Sequence, residues 1–204
     1  MHIPEIYKNE NQTEIQNFIH DNGFAILINQ TNGKLWATHI PLVLETDEKG
    51  KQFLVGHVSK LNPQGESFKT NDDVLVIFSG VHTYISASWY DHENVSTWNY
   101  LAVHVYGKVT ILNYEETVNS LKKLVDKYEV ISKNPTRVED LSENTMREAR
   151  GIIGFTIEIS AIEAKKKLSQ NRDEKNYQNI IQELEKTKNN QAIAVAEEMK
   201  KCPR

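Results

Sequence analysis

Residues 86–107 read SASWYDHENVSTWNYLAVHVYG, and their second half alternates with a period of two, a pattern that suits a strand and no helix. Leu101, Val103, Val105, Val109 and Ile111 fall on one face, and Tyr100, Ala102, His104, Tyr106 and Lys108 on the other. The first face is ordinary core. The second carries rings, an imidazole and an ammonium, too apolar to face water and too polar for an interior. It is expected to meet a second subunit, a flat ligand, or both.

The rest of the chain supplies strands of the same kind. The run 24–29, the turn Thr31-Asn32-Gly33 and the run 35–44 read as a tight hairpin, with Pro41 demanding an edge, a bulge or a kink because it cannot donate to a ladder. A turn at 47–50 leads to a third strand at 52–57, and three such strands in succession point to a meander that closes into a barrel or packs on a second sheet. Further strands are predicted at 74–78, at 84–86 and at 152–159. Thr13-Glu14-Ile15-Gln16 matches a capping box for a short helix ending near Gly23. Val118, Leu121, Leu124 and Val125 mark an amphipathic helix over 115–128, a short helix is predicted at 142–149, and Tyr177, Ile180, Ile181 and Leu184 mark a last one. Residues 1–186 therefore read as one mainly β domain with peripheral helices, followed by a weakly ordered or helical tail at 187–204.

Composition narrows the partners. A net charge of −4 and a pI near 6.0 give no global attraction to nucleic acid or to an anionic membrane. The only cysteine is Cys202, so an intramolecular disulfide is excluded, as expected of a cytoplasmic protein. The start MHIPEIYKNENQTE does not look like a signal peptide, and no run approaches the ~20 apolar residues of a membrane helix.

His39, His57 and His104 all lie on predicted strands, but their spacing matches no metal-ligand pattern, and no metal is expected. No G-x-S-x-G, H-E-x-x-H, G-x-G-x-x-G or P-loop occurs, so no catalytic set is evident. Val58-Ser59-Lys60-Leu61-Asn62-Pro63 is a strand-to-helix corner with Asn62 as cap and Pro63 at the first helical position. It offers a hydroxyl, an ammonium and backbone N–H groups to a phosphate, although taken alone it reads more readily as a solvated connection. A second basic group, Lys165, Lys166, Lys167 and Arg172 around Leu168-Ser169-Gln170-Asn171, reads either as a solvated face or as a second phosphate or lid site comprising Lys167, Gln170, Asn171 and Arg172.

Five ordered strings, ATHIPL at 37–42, GHVSKLNPQ at 56–64, YISASWY at 84–90, TWNYLAVHVYG at 97–107 and KLSQNR at 167–172, resemble the PaiB family of FMN-binding split-barrel proteins described as negative transcriptional regulators. The resemblance covers residues 1–184. It departs at Gly65, where the family usually has Trp, at Ala87 and Ser96, where it often has Pro, and in a short loop at 91–95, so the rim of the site is expected to differ.

The resemblance implies a split β-barrel similar to the pyridoxamine-phosphate oxidase fold, a homodimer, and FMN held at the interface. In that wider group a strand-to-turn segment before a short helix holds the flavin phosphate, the place taken here by Ser59 and Lys60 with His57, Val58 and Asn62 around them. Thr38, His39 and Ile40 would run past the ring, and Trp98 and Asn99 would approach it from the partner. Three functions follow: a flavin-binding repressor whose DNA association is weak or indirect, a flavin-dependent oxidoreductase, and a haem-binding or haem-degrading barrel using one of the three histidines.

Overall fold

The structure is a computed structural model that describes residues 1–69 and 73–202. In chain order the elements are β1 (Lys8–Asn9), α1 (Gln12–Asp21), β2 (Phe24–Thr31), β3 (Lys34–Pro41), β4 (Val43–Thr46), β5 (Gln52–Ser59), α2 (Pro63–Ser67), β6 (Asp73–Ile85), β7 (Thr97–Ile111), α3 (Tyr114–Glu129), α4 (Glu143–Met146), β8 (Ile152–Lys167), α5 (Glu174–Lys186) and α6 (Asn190–Lys201). The strands form one sheet in the order β3, β2, β6, β7, β8, β5, β4, with β1 added against β8. The chain is mainly β with peripheral helices, as its alternation predicts. Among the described residues no helix is long and apolar enough to cross a membrane.

The described residues form two compact units, and β6, β7 and β8 run through both. One unit comprises residues 19–78 and 104–162. Its hairpin β2–β3 turns at Asn32 and Gly33, whose φ values of 52° and 73° are the left-handed pair a two-residue hairpin turn requires. The expected strand 35–44 is two strands, because after Pro41 the chain leaves the β3 ladder and the Leu42 N–H donates instead to Gly23 O at 2.8 Å. Val76, Phe78, Val105, Phe155 and Ile157 fill the core, where Phe68 meets Phe155 edge-to-face at 5.2 Å. Burial of each such side chain contributes ~1.5–3 kcal/mol. Helix α3 departs from its predicted stripe. Thr117 and Ser120 are its buried residues, while Val118, Leu121, Leu124 and Val125 are only half-buried. The two hydroxyls tolerate burial because each donates at 2.7 Å to a carbonyl of its own helix or cap, Thr117 to Asn113 O and Ser120 to Thr117 O.

The other unit comprises residues 1–18, 79–103 and those from 163 onward. Helix α1 starts earlier than the Thr13 capping box predicts. Asn11 caps it, its side-chain oxygen accepting from the Glu14 N–H at 3.2 Å. The residues read as two strands at 74–78 and 84–86 are one strand, β6. Continuity depends on Gly80, where a Cβ would come within 2.6 Å of the Phe18 ring. Helices α5 and α6 enclose a core of Ile85, Tyr177, Ile180, Leu184, Val195 and Met199. Residues 190–201 are thus a packed helix, and only the last two positions of the tail, 203 and 204, lie outside the described residues.

Candidate cofactor site

Strands β5 and β8 pair antiparallel from Phe53 opposite Glu158 to Ser59 opposite Ile152, with His57 opposite Gly154. The Lys60 N–H extends this ladder by one rung, donating to Gly151 O at 2.8 Å. Immediately beyond, Asn62 caps α2 through its side-chain oxygen, which accepts from the Gln64 N–H at 3.0 Å, and Pro63 occupies the first position, both as predicted. Asn62 also donates through Nδ2 to Thr38 Oγ1 at 2.9 Å, tying the corner to β3. The segments ATHIPL and GHVSKLNPQ therefore meet.

The corner corrects one expectation. Its backbone N–H groups are not available to a phosphate: besides that of Lys60, those of Leu61, Asn62 and Gly65 donate to Ser59 Oγ, Ser59 O and Asn62 O. What remains is side-chain chemistry. Ser59 and Lys60 are exposed, and His39 is exposed with its ring stacked on Phe24 at 6.1 Å. Val58 and Ile40 are core side chains, 3% and 2% exposed, so only their backbones can face a ligand. His57 is half-buried, and loss of hydration pushes its pKa below the ordinary imidazole value.

Beneath the corner lies a pocket of about 510 Å³. Lys60, Lys69 and Arg150 supply cations to its lining, Glu66 one carboxylate, and Tyr114 and Thr117 polar walls. Ile111, Ile152 and Ile153 make it apolar elsewhere. Lys69 pairs with Glu66 at 2.8 Å. Among the described residues neither Lys60 nor Arg150 has an acidic partner. Three cations against one carboxylate leave +2, the charge that matches a phosphate dianion, and the volume lies in the usual range for small ligands. Arg150, Lys69, Tyr114 and Thr117 were not evident from sequence, because the β5–β8 pairing that delivers Arg150 spans about ninety residues and leaves no local pattern.

The remaining predicted residues lie in the other unit. Trp98 is 52% exposed, with Tyr84 edge-to-face and His82 tilted against it, each at 6.1 Å. Asn99, expected at a flavin, is fully buried; its Oδ1 accepts from Ser169 Oγ at 3.0 Å and its Nδ2 lies 3.6 Å from Met199 Sδ. That amide serves as an internal tie, since a buried polar group must be satisfied where it stands. The basic segment is similarly committed. Lys165 donates to His2 O and lies over the Tyr100 ring, Lys166 pairs with Glu14, Lys167 donates to Thr97 Oγ1, and the Arg172 guanidinium lies 4.9 Å from the Tyr90 ring centroid. Gln170 bonds its own loop, accepting from Leu168 N–H, while Asn171 is exposed. Burial, with Lys165 and Arg172 nearby, holds the Lys167 pKa below that of a free lysine.

The family described as "Putative FMN-binding domain" matches residues 1–161. The chain belongs to it. FMN is the family's cofactor, and the positive pocket at Lys60 suits the phosphate of that molecule. A relative of similar length, "Protease synthase and sporulation protein PAI 2" of Bacillus subtilis, is 42% identical over 200 residues, 98% of this chain and 96% of its own. Two solved structures share the fold at lower identity. The flavocytochrome Anf3 from Azotobacter vinelandii has a TM-score of 0.65 at 16% identity, covering 87% of this chain and 78% of its own. The FAD and heme binding protein from Mycobacterium smegmatis has a TM-score of 0.63 at 15% identity, covering 84% and 78%. The fold is that of the split-barrel flavoproteins, as the five sequence strings imply.

Proposed function

We propose that this FMN-binding protein is a cytoplasmic homodimeric regulator of the PAI 2 type, in which Ser59 and Lys60 take the flavin phosphate while Thr38, His39 and the Ile40 backbone run along the ring. The observation that carries the reading is the pocket of net charge +2 at Lys60. Bound FMN supplies electron- or hydride-accepting chemistry. The relative's name supports a regulatory role through its reference to sporulation, a cellular programme. Leu35, 83% exposed, and Phe24, 66% exposed, offer apolar surface to a second copy, and a stable interface of this kind buries more than ~2,000 Å². DNA has only a weak, salt-dependent part in this proposal, since the lysines of 165–167 are spent on internal partners.

Absorbance of the purified protein and light scattering test the reading: flavin bands and a dimer are expected, and a protein that takes up no FMN, or a stable monomer, refutes it. Lys60→Ala removes one charge-assisted contact worth ~2–3 kcal/mol, which weakens FMN binding about thirtyfold to a hundredfold. Lys49→Ala, in a hairpin turn, leaves affinity unchanged. Equal affinities for the two variants would refute Lys60 as a phosphate ligand.

A further inference from the structure

We infer that Arg150 is a second binding cation for the phosphate, so that the dianion is gripped from two strands, by Lys60 at the exit of β5 and by Arg150 at the entry to β8. The identity of the ligand rests on the flavin reading; the charge of the pocket does not.

The ladder makes the case. Ser59 stands opposite Ile152, and the next rung joins Lys60 N–H to Gly151 O at 2.8 Å, which sets Lys60 and Arg150 at adjoining ends of two paired strands. Both side chains line the pocket. Lys60 and Arg150 line one pocket with no acidic partner among the described residues, so an anion bound there would meet two uncompensated cations. Lys69 adds less, because Glu66 already neutralises it at 2.8 Å. The guanidinium brings a planar fork that matches two phosphate oxygens, which an ammonium cannot do. The pocket is larger than a phosphate needs, and its isoleucines leave an apolar shoulder for the chain that carries the phosphate.

The test compares FMN with riboflavin, which lacks the phosphate, by fluorescence titration of wild type, Arg150→Ala and Arg147→Ala. Arg150→Ala is expected to weaken FMN about tenfold to a hundredfold and to leave riboflavin unchanged, with Arg147→Ala like wild type. An unchanged FMN affinity in Arg150→Ala, or a parallel loss of riboflavin, overturns the inference. A second readout needs no flavin: inorganic phosphate at millimolar concentration raises the melting temperature of wild type and not of Arg150→Ala. If wild type ignores FMN but shows this phosphate response, the flavin reading falls, the inference stands, and another phosphorylated molecule is the ligand. No phosphate response in wild type, or the same response in both proteins, overturns the inference even where FMN binds.

Discussion

A single methyl group, added at two glycines of the same unit, should act with opposite sign. At Gly107 on β7 a Cβ would collide with the backbone oxygen of Glu158 on β8 and come within 2.6 Å of Ile157 Cγ2. The oxygen belongs to a strand and cannot rotate away, so Gly107→Ala must part the two strands, at the upper end of the ~1–3 kcal/mol that overpacking costs. Restricting the unfolded chain returns ~0.4–1 kcal/mol, which leaves a net loss of roughly 1.5–2.5 kcal/mol. At Gly151, nothing lies within 4 Å of the added methyl and φ is not in the left-handed region, so Gly151→Ala keeps only the gain of ~0.4–1 kcal/mol. The variants should differ by about 2–3.5 kcal/mol, or about 4–14 °C in melting temperature for a chain of this size. Thermal unfolding followed by circular dichroism reads this directly. If Gly107→Ala melts with or above Gly151→Ala, the close approach of β7 and β8 is not as described.

Two further outcomes are open to measurement. Met199→Ala should cost ~2–5 kcal/mol in a urea titration, because the side chain is fully buried between α5 and α6, and a loss below ~1 kcal/mol would mean that α6 is not part of the core. Burial lowers the folded-state pKa of His57 from its ordinary value of 6.5, so the unfolded chain binds a proton more readily than the native one; stability is full above that value and falls as pH drops through it, a slope that His57→Asn should flatten and that would refute the burial if both proteins lost stability equally.

What was legible in the sequence was local. Asn32-Gly33 announced its turn and Asn62-Pro63 its helix start because in each the determining contact is to near neighbours, and the alternation of 100–111 announced its strand because successive side chains of any strand point to opposite faces. What was hidden depended on partners distant in sequence. Arg150 reaches the pocket only through pairing with β5. Thr117 is buried because Gly154 leaves it room, a Cβ there falling within 2.8 Å of Thr117 Cγ2. The buried face of α6 is Ala192, Val195, Ala196 and Met199, too small in total for its hydropathy to stand out from a solvated tail. Asn99 was expected near the flavin only through the family resemblance, and its side chain is bonded to Ser169 of another of the five strings.

The pairing of β1 with β8 also orders events in time. Lys8 lies opposite Lys165 and Asn9 opposite Ala164, so β1 has no place in the sheet until more than 150 further residues have been made. At ~5–20 residues per second that wait is about 8–30 s. Throughout it β1 must stay unpaired, which the polar residues around it, YKNENQTE, suit.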